Sequence, residues 1–321
     1  MINRTRGRLT PAANSTVLRD QAALPFTPDA GADIITVSVR SLKRAKMVEL
    51  VRTARDTRTQ EIGFSSRPFV LSGLPIKRPP KAVTLYTRRN GNFILDIQAH
   101  ARWGLPFGQD RLIPIWIATV ALKTGSPVIR FKSAAEILDT FGLPKDGKTY
   151  RRLVEGFKRI FGATFFFGIE QKADITALDR FNYFSRMRLW YAPAVEQQTL
   201  EGVQNEIVLS DQFWAELKRH PIPVDLAVVK ALADSPGATD FYVWVCWRSW
   251  KARGPVSIPL FGHTGLKGQL GVQGYDRKRK FRDTIKRWIA VTRLHWPQCP
   301  VELSADGDYL VISSGRALSG A

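Results

Sequence analysis

Cysteine and histidine are scarce in this chain, and negative charge is in short supply. Two cysteines in 321 residues exclude a disulfide framework as the source of the fold. The four histidines, His100, His220, His263 and His295, are scattered, with no pair at metal-ligand spacing. That removes the simple zinc sites, and also the histidine pair a DNA-nicking enzyme would place beside a tyrosine nucleophile. No metal or other cofactor is expected. No apolar run reaches the roughly 18–20 residues that span a bilayer, and the longest, Leu112–Leu122, reads as broken by Pro114. The N-terminus is basic but lacks the apolar core of a secretory signal. A soluble, cytoplasmic protein with no membrane partner is the expectation.

What the chain does have is positive charge. It carries 48 Lys+Arg against 28 Asp+Glu, a formal net charge of +20. Such an excess opposes compaction unless a polyanion neutralises it, and nucleic acid is the first candidate. At 44% hydrophobic residues the chain can still build a core. Residues 1–90 hold 17 basic and 6 acidic residues, and Arg277–Arg293 alone holds eight basic and one acidic. Residues 1–35, rich in Thr, Pro, Ala, Asn and Arg, read as a flexible basic arm. Ser41–Arg58 reads as a helix with Leu42, Met47, Leu50 and Val51 on one side. Residues 1–81 together form a basic, partly flexible N-terminal region with one helix.

Asn90-Gly91 between apolar runs predicts a β-hairpin, because both residues tolerate positive φ. Beyond it the chain repeats. Residues 113–164 match 241–292 without a gap at an offset of 128, with nine identities that include Trp116/Trp244, Pro127-Val128/Pro255-Val256 and Lys158-Arg159/Lys286-Arg287. The match implies two copies of one unit, against chance alignment of two amphipathic helices.

Each copy reads as helix, strand, helix, turn, helix and a two-stranded ribbon. In the first, these are Asp110–Thr124, Pro127–Phe131, Ala134–Phe141 with Ser133 and Glu136 as a capping box, and Lys148–Phe161. The ribbon is Ala163–Ile169 and Tyr183–Tyr191, joined by a polar loop Glu170–Asn182. In the second, they are Pro236–Lys251, Pro255–Pro259, Phe261–Leu270 and Tyr275–Arg293, then Val301–Ser304 and Tyr309–Ser313 around Asp306-Gly307. The order is that of a winged helix-turn-helix. The expected fold class is α+β, two tandem winged-helix domains at 82–200 and 201–321 behind the basic arm.

A helix-turn-helix sends its second helix into the major groove, with polar and basic side chains at base edges and phosphates. On that logic the DNA-contacting residues of the first copy are Lys145, Lys148, Arg151, Arg152, Lys158 and Arg159, with Arg186 on the ribbon. Those of the second are Arg277, Lys278, Arg279, Lys280, Arg282, Lys286 and Arg287. In the first copy Asp146 and Glu155 leave open a plain solvated face. The run RKRKFRDTIKR is too one-signed for an ordinary surface.

Gly142-Leu-Pro-Lys-Asp-Gly147-Lys148-Thr149 also fits the pattern of a phosphate-binding loop. That mechanism needs a strand before the loop, whereas Ala134–Phe141 is spaced as a helix, and Pro144 removes an N–H donor. A turn is the preferred reading, and an ATPase acting on DNA the lesser one. Cys246, inside FYVWVCW, reads as a buried hydrophobe, and the tryptophans at 244, 247 and 250 as core or interface.

With these elements placed, residues 82–313 resemble the RepA family of plasmid replication initiators. The resemblance is carried by Arg89-Asn-Gly-Asn-Phe93, Gly104-Leu-Pro-Phe-Gly108, Arg111-Leu112 and Trp116. It continues at Gly142-Leu143, Arg159-Ile-Phe-Gly-Ala-Thr164 and Ile207-Val-Leu-Ser210. Phe213, His220-Pro-Ile-Pro-Val224-Asp225 and the spaced set Ala238, Asp240, Tyr242 and Trp244 complete it. It implies binding to direct repeats (iterons) in double-stranded DNA at a plasmid origin, opening of adjacent A·T-rich DNA and recruitment of the host replicative helicase and DnaA. It also implies a homodimeric form that represses the initiator's own gene, and no enzymatic turnover. A DNA-binding repressor without an initiation role is the alternative. Residues 1–81 fall outside the resemblance, which leaves helicase contact and extra phosphate binding both open there.

Overall fold

The computed structural model describes residues 39–71, 73–90, 92–170, 176–189, 205–272 and 277–319. The basic arm read at 1–35 lies outside them. The chain divides into Met1–Met47 and Val48–Ala321. Helix α1 (Val39–Asp56) crosses that boundary, and it supplies the described part of the first unit.

The second unit continues with β1 (Ile62–Ser66), α2 (Arg67–Leu71), β2 (Leu85–Asn90) and β3 (Phe93–Gln98). A 3₁₀ turn at Gly108–Arg111 leads into α3 (Leu112–Thr124), β4 (Val128–Phe131), α4 (Ala135–Thr140) and α5 (Gly147–Gly162). Then come β5 (Thr164–Glu170), β6 (Thr176–Phe181), β7 (Phe184–Arg188) and β8 (Asn205–Leu209). They are followed by α6 (Asp211–Arg219), β9 (Pro221–Asp225), α7 (Leu226–Leu232) and α8 (Pro236–Lys251). The chain closes through β10 (Val256–Pro259), α9 (Leu266–Gln269), α10 (Lys278–His295), β11 (Val301–Leu303) and β12 (Tyr309–Ile312). The architecture is α+β with small antiparallel sheets. Among the described residues their orders are β1-β9, β2-β3-β5-β6, β4-β8-β7 and β10-β12-β11.

Local chemistry explains several of these elements. Pro114 does not break the apolar run around it. It sits in the first turn of α3, where a missing N–H removes no intrahelical bond. Gly125 ends α3 in the left-handed region, φ 65°, and donates its N–H to the Ala121 carbonyl. Pro236 opens α8 in the same way as Pro114 opens α3. The hairpin forms with Asn90 facing Phe93, so Arg88 and Arg89 lie in β2 itself. Ser133 and Glu136 act one position off the expected box: Ser133 Oγ accepts the Ala135 N–H at 3.2 Å, and Glu136 Oε1 accepts the Lys132 N–H at 2.8 Å.

Part of the element order recurs along the chain. β4 and β10 stand at matching positions 128 residues apart, and α3/α8, α4/α9 and α5/α10 precede and follow them in the same order. The sheets β4-β8-β7 and β10-β12-β11 also share their strand order. Trp116 and Trp244 are both buried. Gly142 and Gly271, which end α4 and α9, share a left-handed φ of 60° and 69°.

Five expectations need correction. The ribbon of the first copy is β7–β8, because β5 instead joins β3 and β6 in the larger sheet. Part of the loop read at Glu170–Asn182 is therefore strand β6. β8 pairs with both β4 and β7, so one sheet runs across the boundary expected at residue 200. Residues 62–71 are built into the fold, since β1 pairs with β9 from Ile62↔Asp225 to Ser66↔Pro221. Finally, Val51 is fully buried while Leu50 is 61% exposed, so they do not share the packed face of α1.

The buried stripe of α10 includes His295. Burial and the neighbouring Arg52 charge hold its imidazole below the ordinary value of 6.5. The unfolded chain then takes up a proton that the folded chain refuses, so stability is full above that value and falls as pH drops through it. The melting temperature should decline between about pH 7 and pH 5, and His295→Gln should flatten the decline. Burial shifts His220 in the same direction, so part of the slope should survive. An unchanged slope in the variant would refute the assignment.

Candidate nucleic-acid interface

Helix α5 starts at a conventional cap. Asp146 Oδ1 accepts the Thr149 N–H at 2.7 Å, and that bond pulls its carboxyl below the usual range. The turn reading of Gly142–Thr149 holds: helix α4 precedes it, and the Asp146 carboxylate already fills the helix N-terminus. Leu153, Phe157 and Ile160 form the buried stripe. Lys148, Arg151 and Arg152 project from the opposite side and are exposed. Lys158 is half-buried and pairs with Glu155 at 2.7 Å, and Lys145 pairs with Asp139 at 2.7 Å.

Arg159 is the clear correction among these residues. It is 8% exposed. Its Nε and Nη2 donate to the two carboxylate oxygens of Asp110 at 2.7 and 2.8 Å, and its guanidinium lies 4.7 Å from the Phe107 ring centroid. A buried, two-pronged pair of this kind faces the core and not a ligand.

Arg186 stands exposed on β7 and shares Glu206 of β8 with Arg130 of β4, at 3.0 and 3.1 Å. Arg188 is exposed two residues further along β7. Two arginines on one carboxylate leave this sheet face positive. Arg130 and Arg188 were not singled out from the sequence. Spacing carries no signal for them, because the pairing of β8 with both β4 and β7 is what gathers them.

The second basic helix, α10, begins without a side-chain cap and without an acid in its first turn. Arg277, Lys278, Arg279 and Lys280 are exposed there, as are Lys286 and Arg287 further along. Lys278, Arg279, Arg282 and Lys286 recur at helical spacing on one side of the helix. Lys278 Nζ lies 5.4 Å from the Phe261 ring centroid. Arg287 Nη2 donates to Thr284 Oγ1 at 3.1 Å. Arg282 is more committed: it donates to the Gly307 carbonyl at 3.0 Å and to Asp308 at 2.6 Å. It pins the turn between β11 and β12 beside the helix.

Other chemistry is limited. Burial raises the Cys246 thiol far above its ordinary value and lifts Cys299 to about 12, so neither is a ready nucleophile. Of the α8 tryptophans, Trp244 is core and donates to Gln269 Oε1 at 3.0 Å, whereas Trp250 is 65% exposed. Among the described residues no group of three His, Cys, Asp or Glu side chains is placed to hold a metal. No described helix is long and apolar enough to cross a membrane.

Fold and charge thus define an α+β chain in which two helices, α5 and α10, expose several basic side chains. Residues 139–255, from α4 to just past α8, match the RepA_C family model, described as plasmid encoded RepA protein. The RepA-family resemblance read from the sequence is borne out over that span. Two solved structures are similar. One, of domains 2 and 3 of RctB, is 16% identical, with 75% of this chain and 94% of that chain covered and a TM-score of 0.49. Another, of RctB residues 155–483, is 12% identical, with 78% and 97% covered and a TM-score of 0.47. No curated protein matches the sequence.

Proposed function

We propose that this chain is a plasmid replication initiator that binds repeated double-stranded sites at its origin through two winged-helix modules. The observation that carries the reading is the duplication itself. The order helix, strand, helix, basic helix recurs about 130 residues further on, the strand of each set lies in a three-stranded sheet of the same strand order, and each basic helix presents exposed cations. The RepA_C match across residues 139–255 supports it. In this reading the modules cover 82–209 and 210–321, with the boundary after β8.

Lys148, Arg151 and Arg152 of α5 and Arg277–Lys280 and Lys286 of α10 are the groove-facing residues. Arg186, with Arg130 and Arg188, contacts phosphate from the first ribbon. Lys145, Lys158, Arg282 and Arg287 already hold protein partners and act as flanking phosphate contacts. The protein works by binding and assembly, without turnover and without a cofactor. It opens adjacent A·T-rich DNA and brings in the host helicase and DnaA, with a dimer serving repression at the same sites. It acts in the cytoplasm, on the plasmid.

The test is a binding titration against origin DNA and a scrambled duplex at two salt concentrations. Preference for origin DNA by about a thousandfold or more is expected, with affinity falling steeply in salt. Equal binding to both duplexes would remove the site-specific reading. Direct repeats beside the gene favour initiation, and a lone palindrome favours a dedicated repressor.

A further inference from the structure

Two buried ion pairs meet back to back in the 3₁₀ turn Gly108–Arg111. Asp110 holds Arg159 of α5, as described. The next residue, Arg111, reaches the other way and bonds Asp240 of α8 through Nη1. Its other N–H groups donate to the carbonyls of Gly108 at 2.6 Å, Leu74 at 3.1 Å and Pro75 at 3.0 Å. The Arg111 and Asp240 side chains are 4% and 14% exposed. Helix α8 in turn packs against α10, with the Phe241 and Trp288 ring centroids 6.0 Å apart. A Cβ on Gly237 would stand 2.2 Å from Trp288, so the two helices are in close contact there. Two consecutive residues therefore tie the basic helix of one copy to the helix that supports the other.

A second tie grips the turn after α9. The Gly271 carbonyl accepts from Arg88 Nη2 at 2.8 Å and from the Tyr86 hydroxyl at 3.4 Å. Both donors belong to β2, in the sheet that carries β5, the strand directly after α5. Arg88 also donates to the Tyr86 hydroxyl. The Gly73 N–H donates to the Gln269 carbonyl at 3.3 Å. A Cβ at Gly271 would stand 2.7 Å from the Tyr86 hydroxyl oxygen and 3.2 Å from the Gly73 carbonyl. With its φ of 69°, only glycine suits this position.

We propose that this junction fixes the separation and rotation between α5 and α10, so that the protein accepts one spacing between its two DNA contacts. The inference rests on reading α5 and α10 as the DNA-contacting helices. Copies joined by a loose linker would tolerate many spacings. One extra base pair turns the second contact by about 35° and moves it about 3.4 Å along the duplex. A junction of buried charges cannot follow that change without breaking pairs, which is expensive in the interior. Asp110, Arg111, Asp240 and Arg88 act through other groups and touch no DNA in this scheme. They are positioning residues.

The probe is a duplex selected by the wild-type protein from a random-sequence library, then remade with one base pair inserted or deleted between its two protected segments. The wild type should lose about a hundredfold in affinity on either change, since the second contact no longer engages. Arg88→Met and Asp240→Asn should shrink that loss to a few-fold, with affinity for a single segment unchanged. Arg88→Lys, which can still donate to the Gly271 carbonyl, should restore part of the discrimination. A general loss of structure would weaken the single segment as well.

If Asp240→Asn does not fold, Arg88→Met, on a half-exposed strand position, decides alone. Variants that keep the wild-type spacing profile overturn the inference, as does a wild type indifferent to spacing. A wild type that selects no sequence at all overturns the reading of α5 and α10 instead.

Discussion

Alanine at Arg159 should destabilise the fold by about 3–5 kcal/mol, the usual cost of removing one partner from a buried ion pair. Arg159 and Asp110 side chains are 10% and 5% exposed, and the pair is bidentate. Without the guanidinium, Asp110 keeps the Phe107 N–H at 2.9 Å as its remaining donor. The buried carboxylate would lose most of its compensation, and Phe107 would lose the nearer of the two guanidiniums at its ring, keeping that of Arg78 at 5.8 Å. The measurement is urea unfolding, where the midpoint should drop with an unchanged slope. Arg151→Ala is the matched control. That side chain is exposed on the same helix, so its removal should shift stability by no more than about 0.5 kcal/mol and show in DNA affinity instead. An unchanged midpoint for Arg159→Ala would mean that the pair does not hold α5 in place.

The same residue shows where sequence reasoning stopped. The gapless repeat aligns Lys158-Arg159 with Lys286-Arg287 and suggests equal roles, yet Arg159 is buried and Arg287 exposed. The difference lies in the partner. Asp110 faces Arg159, but the residue 128 positions further on is Ala238, which offers no carboxylate. Periodicity along one helix cannot see an acid 49 residues away. Helix α8 was legible end to end because Pro236 starts it and the unbroken apolar run Phe241–Trp247 forms its middle. β4 and β10 were legible from short segments of mostly β-branched and aromatic or alternating apolar residues introduced by Pro127 and Pro255. β1 was not, since its sequence Ile-Gly-Phe-Ser-Ser carries little strand propensity and buries both serines. Its partner β9 lies far along the chain, and pairing at that distance leaves no local trace. β8 escaped the first copy for the same reason, being joined to it only through sheet order. The candidate interface was more legible than the fold around it, because charge on a helix needs no distant partner to be exposed.

Replacing Arg277, Lys278, Arg279 and Lys280 together by alanine should lower affinity for the selected duplex by about a thousandfold or more, given 1–3 kcal/mol for each arginine that reads a base. Where these residues meet phosphates, the log–log salt slope should shrink by about 0.9 for each phosphate no longer neutralised. Folding stability should stay level or rise. A helix N-terminus carries partial positive charge, and each cation in the first turn opposes it by about 0.3–1 kcal/mol. Helix α10 opens on four cations with no acid and no side-chain cap, whereas α5 opens on Asp146. The sequence of α10 thus works against its own helix at that end, the pattern expected where function and local stability conflict. Alanine removes the repulsion and is the best helix former. Lower affinity together with an equal or higher melting temperature would therefore mark the cluster as a binding element. A fall in both would mean that these side chains hold α10 in place, and the burden of recognition would shift to Lys286 and to α5.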